Sequence, residues 1–193
     1  TSWDIPGARL ATGDSAKTLF GVFFQESMKP TEQWTIDAGF RFDRMNFNID
    51  STEYGEYDWG TGSYDTFATP VVTHTDTTFD LFSPKLGASY ALNNVYSLYG
   101  MVAQSGQVPS EAEIQSNPSL DAATARNIEI GLKARAREWN LDLSLYRTTV
   151  SDEIVSVLQP SNQSEFQNAG ETLKKGFEMS GRLALGKHLW LGA

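Results

Sequence analysis

Hydrophobic and polar residues alternate singly along most of this chain, the two-residue period of a strand with unlike faces, and the 3.6-residue period of a helix is almost nowhere. In WTIDAGFRFD, Trp34, Ile36, Ala38, Phe40 and Phe42 fall on one face. Thr35, Asp37, Gly39, Arg41 and Asp43 fall on the other. RNIEIGLKAR sets Ile128, Ile130, Leu132 and Ala134 against Asn127, Glu129, Gly131, Lys133 and Arg135. WNLDLSLYR and KGFEMSGRLA repeat the split.

This period predicts eight strands, at about 16–28, 34–47, 79–92, 95–104, 125–135, 139–157, 165–184 and 188–193. Their connections alternate in length. Short ones fall at Lys29–Gln33, Asn93–Asn94, Ala136–Glu138 and Leu185–Lys187. Long ones fall at 48–78 and 105–124, with a moderate one at 158–164. The expected fold is therefore all-β, an antiparallel up-and-down meander with tight turns at one end and long loops at the other.

Composition narrows the class. With 40% apolar and 12% aromatic residues the chain is too hydrophobic to be disordered. Its best apolar run, LFGVFF at 19–24, falls far short of the roughly 18–20 residues of a transmembrane helix, which leaves a β-barrel open. Twenty-four acidic against 15 basic residues give a formal net charge of −9, an argument against nucleic acid as a partner. With no cysteine, disulfide scaffolds, thiolate metal sites and cysteine nucleophiles are excluded. The chain starts at Thr1 and stops inside the apolar stretch HLWLGA, so an excerpt of a longer protein is expected, with 1–193 as one partial domain.

Which medium meets the apolar face decides between a membrane barrel and a soluble sandwich. Charges stand mid-strand on the polar faces, as a wet lumen allows, and Trp34, Tyr96 and Trp139 open strands just after short turns, where an interfacial girdle anchors. The period alone also leaves open a complete eight-stranded barrel acting as adhesin or anchor, and a soluble β-sandwich binding module.

Four motifs in order add to this. GVFFQESMKPTEQWTIDAGFRFD, FSPKLGASYALNNVYSLYGMVAQSGQVPS, ARNIEIGLKAR and FQNAGETLKKGFEMSGRLAL resemble consecutive strands of TonB-dependent outer-membrane receptors of the siderophore type. The resemblance implies a transmembrane barrel of about 22 strands with a plugged lumen, of which this chain supplies about eight. It further implies the outer membrane of a Gram-negative bacterium and uptake of a scarce ligand, a ferric siderophore or similar chelate. Lipid would surround the barrel, and TonB would act through a plug domain absent from this chain.

Ligand contacts are expected in loop 48–78, which carries Tyr54, Tyr57, Trp59, Tyr64 and Phe67 among acidic residues and has no Lys or Arg. Aromatics along a mobile polar loop stack on a flat chelate or sugar. The plainer reading of this segment is a surface hairpin extending two strands. Arg41, Glu129, Lys133, Glu178 and Arg182 are read as a lumen charge ladder, pairing across strands. In NAGETLKKGFE, Gly170 and Gly176 are expected where the strand bends or backbones approach closely. Ser110, followed by Glu111 and Glu113, marks a short helix at the barrel mouth. His74 and His188 stand alone, without a metal-ligand partner, and no catalytic motif occurs, so neither enzyme activity nor a cofactor is expected.

Overall fold

The computed structural model describes residues 9–58, 60–158, 164–186 and 189–192. Ten strands and one helix follow in order: β1 (Ala11–Met28), β2 (Trp34–Asp58), β3 (Ser63–Ala91), β4 (Tyr96–Gln107), α1 (Glu111–Ser116), β5 (Ala123–Arg135), β6 (Trp139–Ser151), β7 (Ile154–Leu158), β8 (Ser164–Asn168), β9 (Glu171–Ala184) and β10 (Trp190–Gly192). Eight form one antiparallel sheet in the order β1-β2-β3-β4-β5-β6-β9-β10, and β7 and β8 make a separate two-stranded hairpin. Side-chain acceptors fix two of the tight turns. Thr31 Oγ1 accepts from the Gln33 and Trp34 amides, and Asn93 Oδ1 from those of Val95 and Tyr96.

Three differences from the expected strands have physical causes. Segment 48–78, expected as a loop, is mostly strand: β2 and β3 stay paired out to Asp58↔Ser63. Sixteen residues beyond Phe42, at about 3.3 Å each, this ribbon reaches roughly 50 Å past the apolar part of the sheet. Its residues are rich in Thr, Tyr and Val, which favour strands, but they carry no apolar–polar split to reveal it. The strand expected at 139–157 breaks at Asp152, which takes φ 58°, and the one expected at 165–184 breaks at Ala169 and Gly170. Of the strand expected at 188–193, the described part is Trp190–Gly192, and His188 lies outside the described residues.

Cross-strand register assigns every side chain to a face. One face carries Phe20, Val22 and Phe24 of β1, Ile36, Phe40 and Phe42 of β2, and Phe82 and Leu86 of β3. It continues through Leu98 and Val102, Ile128 and Ile130, Leu143 and Leu145, and Phe177 and Met179. No second layer covers these residues: Phe82, Ile130 and Phe177 are 53%, 58% and 61% exposed. At the tight-turn end this face closes in ring pairs, Trp34–Tyr90 at 5.0 Å and Tyr96–Trp139 at 6.3 Å.

The far boundary of the apolar band steps along the strands. Phe20 stands opposite Arg44, two residues beyond Phe42. Val102 stands opposite Leu86, four residues short of Phe82. Leu145 stands opposite Ile130, two residues short of Ile128. Every step runs the same way, so the band crosses the lines of pairing obliquely, as it must where strands are tilted and staggered as in barrel closure.

Candidate functional site

The opposite, polar face holds a series of hydrogen bonds and ion pairs. Its centre is Tyr99, which register places against Gly131. The phenol donates to Glu129 Oε1 at 2.6 Å, and Lys133 Nζ lies 4.7 Å from the ring centroid. A methyl group on Gly131 would strike the Tyr99 ring and stand 2.5 Å from the Leu143 carbonyl. The sequence E-x-G-L-K is thus a seat: Glu129 accepts the hydroxyl, Gly131 makes room for the ring, and Lys133 lies over it. Tyr146 crosses Gly176 on β9 in the same way.

The residues read as a charge ladder sit on this face, but pair differently from the expected cross-strand ion pairs. Arg41 forks onto Asp43 of its own strand, with both bonds at 2.6 Å, and Asp43 is buried. Glu129 and Lys133 both address Tyr99. Among the described residues, Glu178 and Arg182 have neither an ion pair nor a hydrogen bond. Asp142, directly opposite Lys133, is instead held bidentately by Arg135 at 2.7 and 2.8 Å. Lys85 reaches across Gly39 to Gln25 at 2.9 Å, tying three strands together.

Beyond Asp43 the polar face turns apolar, with Met45, Phe47 and Ile49 on β2 and Phe79 on β3. Here α1 docks, burying Ile114 against Phe47, Ile49 and Phe79. Its start is a complete capping box: Ser110 Oγ accepts from the Glu113 amide and Glu113 Oε2 accepts from the Ser110 amide. Ser15 donates to Glu111 at 2.8 Å, and Asn117 Nδ2 donates to the Phe166 carbonyl at 2.9 Å. The 108–122 segment is therefore a fixed shelf across the mouth end of this face.

The NAGET motif ties the shelf to the bend below β7. Asn168 Oδ1 accepts from the Asp121 amide at 2.8 Å, while its Nδ2 donates to the carbonyls of Asp121 and Asp152 at 3.0 and 2.7 Å. Thr172 donates to Glu153 at 2.6 Å and Lys174 lies 3.3 Å from it. These bonds hold the Glu153 carboxyl below its ordinary range, that from Thr172 most. Gly170 sits at the bend as expected, with open space around it, and its carbonyl accepts from the Asp152 amide at 3.1 Å. Between shelf and wall lies a cleft of about 420 Å³, lined by Gln107, Glu113, Thr148, Glu153 and Lys174 among others.

The aromatics named for ligand contact lie far out on the ribbon. Tyr57 and Tyr64 are direct cross-strand partners, with ring centroids 4.9 Å apart and planes at 61°. Tyr54 donates its amide to the Leu10 carbonyl, anchoring β1. Phe67 sits where β3 bulges between Glu53 and Gly55 of its partner. Trp59 lies outside the described residues. The tip is fixed by Asp58, whose carboxylate accepts from the Gly60 and Thr61 amides and from Thr61 Oγ1. Sequence reasoning missed the Tyr99 seat and the Asn168 knot, since each joins residues far apart in the chain.

An open antiparallel meander with a bare apolar band on one face and a hydrogen-bonded polar lining on the other is a length of β-barrel wall. A family model, "TonB dependent receptor-like, beta-barrel", matches residues 1–193. The chain belongs to the TonB-dependent receptor β-barrel family.

Solved structures agree on the fold. The copper transporter OprC superposes with a TM-score of 0.71 at 16% identity, over 90% of this chain and 27% of that one. The ferric-catecholate import receptor Fiu of E. coli K12 gives 0.68 at 20% identity, over 90% and 26%. The ferric yersiniabactin uptake receptor FyuA of Yersinia pestis gives 0.68 at 18%, over 91% and 26%. The chain thus spans about a quarter of the length of these receptors.

Proposed function

We propose that this chain is part of the wall of an outer-membrane transport receptor, in a Gram-negative bacterium, that takes up a scarce metal chelate with energy delivered through TonB. The observation that carries the reading is the uncovered apolar band with its oblique boundary. Such a surface suits hydrocarbon, and a tilted closed barrel lays that boundary level with a membrane. The polar lining then faces the lumen, where Glu178 and Arg182 are available to a plug domain or to a passing ligand.

Among chelates, a ferric siderophore fits best. The named receptors for ferric catecholate and ferric yersiniabactin share the fold, and the ribbon offers paired aromatic rings without a single Lys or Arg in 48–78. Ligand is captured first by Tyr57, Tyr64 and Trp59, with Tyr54 and Phe67 lower on the ribbon, and passes to the cleft beside the shelf.

Radiolabelled iron uptake tests this. Cells whose full-length receptor is deleted lose uptake from a ferric catecholate and regain it on complementation. Substituting Tyr57→Ala with Trp59→Ala weakens chelate binding to the purified receptor. Unchanged iron uptake after deletion overturns the siderophore reading, and uptake of copper alone transfers the role to that metal. Unchanged affinity in the double variant removes the ribbon from the site.

A further inference from the structure

We infer that Arg126, Arg147 and Lys175 form a docking site on the apolar side of the wall for the phosphate of an anionic membrane lipid. The inference rests on the barrel reading above. All three side chains share the face of the apolar band and are exposed. They also stand directly past its far boundary: Arg126 precedes Ile128, Arg147 follows Leu145 and Lys175 precedes Phe177.

Register sets these cations side by side. Arg147 pairs directly with Lys175, which brings their Cβ atoms to about 5 Å, and Arg126 lies diagonally from Arg147 across β5 and β6. Like charges directly opposite each other destabilise a sheet. No carboxylate relieves them. Among the described residues, Arg147 and Lys175 have neither an ion pair nor a hydrogen bond. Arg126 uses only Nε, donating to Gln104 Oε1 at 3.1 Å, while Gln104 Nε2 is bound to the Phe82 carbonyl. That orients the guanidinium and leaves both terminal amino groups free.

Every other charge facing this row is accounted for. Asp80, at the same boundary on β3, is already neutralised bidentately by Arg44. Glu171 shares the face but lies four residues further along β9, about 13 Å away. Lys174 and Glu129 point to the opposite face.

An uncompensated cationic triad bordering exposed Ile128, Ile130, Leu145 and Phe177 matches one kind of molecule: a phosphate on an acyl-chain body. The headgroup bridges the three cations, and the chains lie along the apolar band. A free phosphate would meet the charges alone and leave that apolar surface unused.

The test uses the full-length receptor in nanodiscs of phosphatidylcholine, with and without phosphatidylglycerol, and native mass spectrometry to count retained lipid. Wild type is expected to retain phosphatidylglycerol selectively. A variant carrying Arg126→Gln, Arg147→Gln and Lys175→Gln should lose that preference by on the order of 100-fold, at roughly fivefold per interfacial cation. Arg44→Gln, which opens a pair already neutralised, should keep it. Equal retention by wild type and triple variant overturns the site, as does full competition by inorganic phosphate. A receptor that inserts normally into phosphatidylcholine but shows no preference sinks this inference alone. One that stays out of every membrane sinks the barrel reading as well.

Discussion

Tyr99 lies flat across Gly131, its hydroxyl on Glu129 and its ring under the Lys133 ammonium, so that one side chain is gripped by three residues of the neighbouring strand. Gly131→Ala places a methyl group into that ring. The expected cost is about 1–3 kcal/mol, as for overpacking elsewhere, seen as a lowered melting temperature of the full-length receptor. Pairing Gly131→Ala with Tyr99→Ala should recover part of the loss, because the clash with the ring disappears while the approach to the Leu143 carbonyl stays. Strict additivity in this double-mutant cycle would show that the two residues do not meet.

Ile114 is the anchor of the shelf, buried against Phe47, Ile49 and Phe79. Ile114→Ala should cost about 2–5 kcal/mol of local stability, and Ser110→Ala, which opens the capping box, about 1 kcal/mol. Hydrogen exchange should accelerate over 108–122 while β5 and β6 stay protected. Equal acceleration throughout would mean that the shelf is no separate unit.

Asn168 holds Asp121 and Asp152 with three hydrogen bonds from one side chain. Asn168→Ala strips all of them, at about 1 kcal/mol each at most. Limited proteolysis should then cut sooner near the Asp152 bend. An unchanged digestion pattern would remove Asn168 as the link between shelf and hairpin.

On the ribbon, His74 Nδ1 donates to Asp50 Oδ1 at 2.7 Å, and that bond, with the charge of Asp50 and then Asp76, raises its pKa above the ordinary 6.5. A histidine raised on folding stabilises fully below its unfolded value. That contribution disappears as pH climbs through the higher folded value. NMR titration should therefore place His74 above 6.5, and Asp50→Asn should bring it back down. Asp58 behaves oppositely. Thr61 and the tip amides lower its pKa, so its support of the turn holds above about 3.8 and is lost as pH falls through the lower folded value.

Where a face is half wet and half apolar, the chain states its own fold. Trp34 to Asp43 and Asn127 to Arg135 reveal strand and face by alternation alone, and the structure places them so. Past Asp43 the code inverts: Met45, Phe47 and Ile49 are apolar on what had been the polar side, because α1 covers them. Beyond that, both sides of the ribbon meet water, alternation carries no information, and 48–78 reads as a loop. The site is less legible than the wall. Glu129 and Lys133 were visible as charges on the polar face, but their common partner Tyr99 sits thirty residues upstream of Glu129 and is found only through register. Asp152 could not be foreseen as a break, since its positive φ is imposed by bonds to Asn168 and Gly170.

The ribbon's two watery sides have a practical side effect. Past Ile49, which α1 still covers, the positions out to Asp58 answer to pairing and to the Asp58 turn. That makes the tip a natural place to splice in a foreign epitope or label, displayed well away from the apolar band without disturbing the wall beneath.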